Sequence, residues 1–361
     1  MTGKLPGNGN WKRLMEKKRI GFGRVMVRIL VTLSVLVLLL LLAVHLALTA
    51  LLKGPSDEIR SVAVMSLEET SALKFVPYLY LPGETVAEIE NAGPETVYAP
   101  TDTSLVTVEP PPAGPVADAW GFVDEDGDGI ILDPIAGEAY SGWMMIVPDP
   151  SRVVIGSDPA AFWNRGFTVE ELVKKYDAVA GMNAGGFLDP NGNGNGATPD
   201  SLVVNSGKVY FSEFGCAQGF AGFDGNGILH VGKFRAAELT EMGITSGVCF
   251  GPVLVNNGEN MIPEDYPSGV NPRAALGQRS DGAVLMLAID GRQATSLGAR
   301  LQDEAELMMR YGAVNACNLD GGSSVRLWFQ DRYINNAASL RGVRPVPTAV
   351  LVLKEGVGDE G

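Results

Sequence analysis

Two aspartates stand where an apolar run stops and glycine begins. Asp290 closes the run AVLMLAID (283–290) and precedes Gly291-Arg292, and Asp320 closes AVNACNLD (313–320) and precedes Gly321-Gly322-Ser323-Ser324. Glycine at these positions permits tight or left-handed backbone and leaves amide N–H groups open to an anion. Asp-Gly is also a common turn, but two such sites, one with an arginine and one with paired serines, point beyond turn formation. After residue 52 the chain holds one histidine, His230, in the alternating stretch GNGILHVGKF. That pattern reads as an ordinary strand with a solvent-exposed histidine. Serine–histidine and cysteine–histidine chemistry would depend on this one residue, so acid–base work falls to carboxylates.

Such aspartates need a scaffold, and the surrounding periodicities supply one. Residues 283–290 read as a buried strand, 301–312 as a helix closing on Gly312, and 313–320 as a second strand. Strand, helix and strand with short joins make a right-handed parallel crossover. Both aspartates then lie at one sheet edge, where ligands of open α/β sheets bind. Earlier, Thr168-Val169-Glu170-Glu171 has the form of a capping box and opens a helix to about Tyr176, and AVAGM (178–182) reads as a strand ending at Asn183 and a glycine-rich loop. The expected architecture is α/β to α+β, a mixed β-sheet with flanking helices in one extracytoplasmic domain, preceded by a single transmembrane helix.

Further polar segments recur along the chain: Asn183-Ala184-Gly185-Gly186, Gly251-Pro252, Asn271-Pro272-Arg273-Ala274-Ala275-Leu276-Gly277, and Arg344-Pro345-Val346 before the last strand. Taken in order with the two Asp-Gly sites, these segments resemble the phosphodiester glycosidase family over residues 140–353. The sharpest parts are N-P-R-x-A-x-G, D-G-R and N-L-D-G-G-S-S. The resemblance implies hydrolysis of a sugar–phosphodiester bond, releasing the sugar and leaving a phosphomonoester. It casts Asp290 and Asp320 as the carboxylates, without dividing the roles of nucleophile, base and sugar-hydroxyl anchor between them. Arg273, Arg292 and Arg344 become candidates for the phosphodiester, or else structural partners of strand-end aspartates. Asn183, Asn318, Gly321, Gly322, Ser323 and Ser324 would line the pocket. The chemistry suits these residue types: an oxocarbenium-like transition state calls for carboxylates, and arginine holds a phosphate bidentately. Ala274 departs from the hydroxyl residue common at that place in the family, which touches polar contacts rather than reaction class. No cofactor is required.

The segment 29–52 contains no Asp, Glu, Lys or Arg, and its 24 residues cover about 36 Å as a helix, enough to cross a bilayer. Residues 1–28 hold eight Lys or Arg against Glu16 alone, so this basic tail is expected in the cytoplasm and the rest outside. A cleaved signal peptide is the competing reading, but the run is longer than an ordinary signal core and LTALLKGP is a poor cleavage site. Beyond residue 28, 20 basic residues face 41 acidic ones, a charge of about −21. That balance excludes a nucleic-acid partner, which needs a basic footprint. Residues 53–118 read as a stalk ending in the proline-rich EPPPAGP (109–115), with an apolar patch at 74–82; residues 119–355 read as the domain and 356–361 as an acidic tail.

Asp124, Asp126 and Asp128 with Gly129 reproduce the first half of a calcium loop, but Ile135 stands where the bidentate Glu should be. A structural Ca²⁺ and a plain acidic turn both fit. The oxygen-rich segment 189–196 reads as a lid or a flexible connection. Cys216, Cys249 and Cys317 allow one disulfide without requiring it. The functional expectation is a membrane-anchored glycosidase acting on phosphodiester-linked sugars of cell-envelope or exopolysaccharide material. Its alternative is a non-catalytic envelope module binding anionic glycans.

Overall fold

The uninterrupted apolar sequence forms one long helix, α1 (Gly9–Lys53), of which Gly23–Lys53 is long and apolar enough to cross a membrane. In this computed structural model the described residues are 9–70, 72–94, 96–108, 114–190, 194–216, 218–336, 339 and 342–355. They divide into two units, Met1–Arg60 and Ser61–Gly361. The tail expected at 356–361 and most of the proline-rich segment, 109–113, fall outside them.

Much of the segment expected as a stalk belongs to the second unit. The division falls within helix α2 (Asp57–Glu68), and α3 (Gly83–Glu90) follows. Beyond it the chain bonds repeatedly to the domain: the Val270 amide donates to Ser66 Oγ at 2.9 Å, the Asp102 amide to Asn257 Oδ1 at 2.8 Å, and the Thr107 amide to the Ser280 carbonyl at 2.8 Å. Val64, Val86 and Val106 are buried along it. Isolated valines in polar sequence carry no periodic signal, which is why composition alone reads as spacer.

Three antiparallel sheets surround a shared core. The seven-stranded sheet runs β1 (Ile131–Ala136), β2 (Ser141–Val147), β13 (Val284–Ile289), β12 (Arg273–Arg279), β14 (Ala313–Leu319), β10 (Val253–Asn256), β11 (Glu259–Asn260). A five-stranded sheet runs β16 (Arg332–Tyr333), β15 (Leu327–Phe329), β4 (Ala178–Asn183), β17 (Thr348–Leu353), β3 (Val153–Ser157). The third runs β6 (Lys208–Tyr210), β5 (Val203–Asn205), β9 (Ile244–Phe250), β7 (Gly219–Asp224), β8 (Leu229–Gly232).

Strand periodicity sorts side chains between two layers. On β13, Val284, Met286 and Ala288 face the common core with Met182, Val248 and Val350 from the other sheets. Leu285, Leu287 and Ile289 face the opposite way and pack with Leu301, Ala305 and Met308 of α6 (Leu301–Arg310). The outer faces of the other two sheets are covered by α4 (Val169–Lys175), through Leu172 and Val173, and by α5 (Ala236–Glu241), through Leu239. The expected Thr168–Glu171 capping box opens α4.

The β13–α6–β14 unit is present, and its strands run parallel to one another because both pair antiparallel with β12 between them. That intervening strand sets Asp290 and Asp320 two strand spacings apart, roughly 10 Å, with Arg273 at the start of β12 opposite Ile289. His230 is buried on β8 rather than exposed, its Nε2 3.1 Å from Asp224 Oδ2. The fold is α+β, rich in strand.

A disulfide joins Cys216 and Cys249 across 33 residues, while Cys317 is free and buried. Closing a loop of that size is expected to stabilise the domain by about 2–4 kcal/mol. The Cys216→Ser variant should therefore unfold at lower denaturant by that margin, and Cys249→Ser equally. Stability unchanged in both variants would remove the crosslink from the account.

Candidate active site

The C-terminal ends of β14 and β4 meet, and a buried asparagine joins them. Asn183 Nδ2 donates to the Asp320 carbonyl at 2.5 Å, and its Oδ1 accepts the Arg326 amide at 3.0 Å. The Asp320 amide donates to the Ala184 carbonyl at 2.9 Å, and the Gly322 amide to the Pro272 carbonyl at 2.9 Å. The turn 320–324 is thus held from three directions. Gly322 has φ +60°, and a Cβ on Gly321 would stand 2.8 Å from the Pro272 carbonyl oxygen, so both glycines are required by the backbone.

Beside this turn lies a cavity of about 700 Å³, lined among others by Asp320, Asp200, Asp189, Asn318, Arg292 and Arg344. Asp320 Oδ2 is buried and finds no hydrogen-bond partner among the described residues. Burial pushes this carboxyl up to about 7; the Ser324 hydrogen bond and Arg344 oppose the rise, and Asp200 and Asp189 add to it. Asp200 faces the open part of the cavity, yet protein around it strips enough water to push its carboxyl upward too.

Two guanidinium groups flank the turn. Arg344 Nη1 donates to Ser323 Oγ at 3.2 Å, its Nη2 lies 2.8 Å from Asp189 Oδ2, and the group sits 4.9 Å above the Phe187 ring. Arg292 adopts left-handed backbone, φ +57°, and donates through Nη2 to Asn271 Oδ1 at 2.8 Å and to the Glu69 carbonyl at 3.2 Å. Its Nη1 lies 3.4 Å from where a Gly322 Cβ would be. Such a conformation is costly away from glycine, and here it turns the side chain under the Gly-Gly turn. Burial lowers the Arg292 pKa, which leaves so strong a base charged at neutral pH.

Residues 176–353 match the family profile described as phosphodiester glycosidase. The domain belongs to the phosphodiester glycosidase family. Bovine N-acetylglucosamine-1-phosphodiester alpha-N-acetylglucosaminidase is 26% identical over 213 residues, 52% of this chain and 39% of that protein. The SPbeta prophage-derived uncharacterized protein YomE of Bacillus subtilis (strain 168) is 30% identical over 181 residues, 47% of this chain and 27% of that protein. The chain thus spans less than half the length of these relatives. The fold of the zebrafish N-acetylglucosamine-1-phosphodiester alpha-N-acetylglucosaminidase catalytic domain, solved in a form auto-inhibited by pro-peptide, superposes with a TM-score of 0.52 at 19% identity, over 73% of this chain and 95% of that one.

Within this phosphodiester glycosidase domain the expected site residues separate into two groups. Asp320, Asn318, Gly321, Gly322, Ser323, Ser324, Arg273, Arg292 and Arg344 all line the cavity. Asn183 stands behind it as the joint described above. Asp290 is not among the lining residues; its carboxylate accepts the Asn336 amide at 2.9 Å and Asn335 Nδ2 at 3.1 Å, and so holds the 335–336 segment. Arg273 is buried and committed: it donates to the carbonyls of Ala299 and Gly269 and lies 3.0 Å from Glu69 Oε2. Glu304 lies near it, fully buried and pushed up to about 8 by that burial, Arg273 opposing the rise and Glu69 adding to it. Asp124, Asp126 and Asp128 lie outside the lining; their carboxylate oxygens come within 4.8 Å of one another, while Asp124 and Asp128 also accept amides of their own loop.

Asp200 escaped the sequence reading. Its signal was Gly186, whose Cβ would stand 2.6 Å from Asp200 Oδ2. Gly186→Ala should keep the fold but displace Asp200, and a shift of that kind costs on the order of 10²-fold in turnover; unchanged kinetics would separate Asp200 from the chemistry. A second expectation concerns Glu304. Its folded pKa is raised, so the folded state holds a proton that the unfolded state releases above pH 4.5, and stability falls as pH rises towards about 8. Glu304→Gln should flatten the stability–pH slope in that window by up to about 1.4 kcal/mol per pH unit, measured by denaturant melts.

Proposed function

We propose that this domain hydrolyses glycosyl phosphodiesters, with Asp320 acting at the anomeric carbon and Arg292 and Arg344 holding the phosphate. The observation that supports this most is a single one: a buried carboxylate oxygen without a partner shares one cavity with two guanidinium groups that approach the same Gly-Gly turn. A phosphate is a weakly basic leaving group, so the reaction needs charge stabilisation more than a strong general acid. Asp320 would work as the ionised nucleophile or base. Asp200, which lines the same cavity, is the second carboxylate in preference to Asp290, whose oxygens are already engaged. Tyr98, Tyr266 and Phe250 also line the cavity and offer faces for a sugar ring. The names of the mammalian relatives carry the same substrate chemistry.

The domain would work outside a membrane, tethered by 29–52 with 1–28 in the cytoplasm, on phosphodiester-linked sugars of envelope or exopolysaccharide material. The disulfide favours an oxidising compartment. A Ca²⁺ at Asp124, Asp126 and Asp128 would be structural, since that loop does not line the cavity.

The test uses the full chain in detergent with a panel of sugar-1-phosphodiesters, following released reducing sugar. Binding without release would favour the rival reading, a module that only holds anionic glycans. Asp320→Asn is expected to lower kcat by roughly 10²–10⁴-fold with little change in melting, and Asp290→Asn to act mainly on stability. Because the ionised form of Asp320 is the active one, kcat/KM should rise with pH through about 7. A falling limb there instead would reassign Asp320 as the acid.

A further inference from the structure

One wall of the cavity is made by the ends of α2 and α3 and the chain between these helices, and that chain is apolar on its outer side. Glu68, Lys74 and Glu90 line the cavity. Tyr78 stands beside them: the charge of Glu68, some burial and the charge of Glu90 all push its phenol upward. Around Lys74 the apolar side chains face outward, with Phe75 61% and Leu79 68% exposed and Leu73 and Tyr78 exposed as well. Val76 and Pro77 are buried from the same short segment. The backbone is tied by successive turns, the amides of Leu73, Val76 and Leu79 donating to the carbonyls of Thr70, Leu73 and Val76. These apolar groups are therefore held outward by a folded segment.

An outward cluster of Leu, Phe, Tyr and Leu is unexpected on a domain of net charge about −21. Soluble surfaces scatter such residues singly, and contiguous ones mark a contact. Two features identify the contact. Only 19 residues of chain, 54–72, separate Lys53, the end of the membrane-crossing helix, from Leu73. The mixture of aliphatic, aromatic and lysine side chains is also the one found where protein meets the headgroup region.

We infer that the substrate is a sugar-1-phosphate esterified to a long-chain lipid alcohol. This deepens the hydrolase reading and rests on it. The sugar and phosphate enter the cavity between Asp320, Arg292 and Arg344, Lys74 stands at the rim, and the lipid chain leaves across Leu73, Phe75, Tyr78 and Leu79 into the bilayer. The step is hydrolysis. Water supplies the oxygen of the new bond at the anomeric carbon, the bond from that carbon to the bridging oxygen breaks, and the bridging oxygen stays on phosphorus. The products are the free sugar and the lipid phosphomonoester, and the proton of water passes to the phosphate or to solvent.

The experiment reconstitutes the full chain in phospholipid vesicles and compares two esters of the same sugar-1-phosphate, one of a long-chain alcohol and one of methanol. The wild type should cleave the lipid ester with kcat/KM at least tenfold above the methyl ester. In Phe75→Ser/Leu79→Ser that preference should fall to near unity while the methyl ester is cleaved as before. Equal rates on both esters in the wild type would overturn this inference alone. So would a preference that survives in the double variant, because co-localisation by the anchor would then explain it. Release from neither ester would overturn the hydrolase reading and this inference together.

Discussion

The carboxamide of Asn183 holds the site together. Itself buried, it donates to the carbonyl of Asp320 and accepts the amide of Arg326. It thereby joins the end of one sheet to the turn that leaves another. Buried backbone groups without partners are costly, so one side chain that satisfies two of them fixes their relative position. The consequences run outward from this joint. The Asp320 backbone is pinned, its carboxylate is forced into protein rather than water, and the carboxyl rises towards neutrality. The Gly-Gly turn that follows is held against Pro272, which leaves room for two arginines to approach it.

The three arginines show how position decides role. Arg273 begins a central strand, is buried, and spends its donors on carbonyls of Ala299 and Gly269 and on Glu69. A guanidinium so enclosed is stable only with such partners, and Glu304 close by is held protonated. Arg292 and Arg344 lie at loop positions beside the turn, each with donors directed at side-chain or carbonyl oxygens around the cavity. They bring positive charge to a cavity that Asp189, Asp200 and Asp320 also line, on a domain that is otherwise strongly acidic.

What could be read from the sequence was what is encoded locally. The capping box of α4, the strands flanking α6, and the placing of Asp320 at a strand end all follow from short-range periodicity. Long-range pairing carried the rest. Nothing in 283–320 announces that β12 inserts between β13 and β14, yet that insertion moves Asp290 away from Asp320 and gives its carboxylate to Asn335 and Asn336. His230 sits in an alternating strand yet is buried, a fact visible only once the pairing brings the Asp224 carboxylate within reach of its ring. Asp200 lies on a connection without periodic pattern, and its importance is written in the missing side chain of Gly186.

The electrostatics of Asp320 turn on one arginine. Arg344 is the cation whose charge counters the rise of this carboxyl, while Asp200 and Asp189 add to it. Arg344 is itself already shared with Asp189, at 2.8 Å. A bound phosphodiester would take up more of its positive charge and place a further negative charge beside Asp320, and both changes would favour the protonated carboxyl. A second guanidinium, that of Arg292, lines the same cavity and would offset part of that charge. Arg292 is held by the neutral Asn271 amide and the Glu69 carbonyl, and its guanidinium lies beside Gly322. With both present, the charge of a bound phosphodiester would be offset at the cavity that Asp320 lines. The left-handed backbone of Arg292 places its guanidinium beside the Gly322 turn, on the cavity that Asp320 also lines.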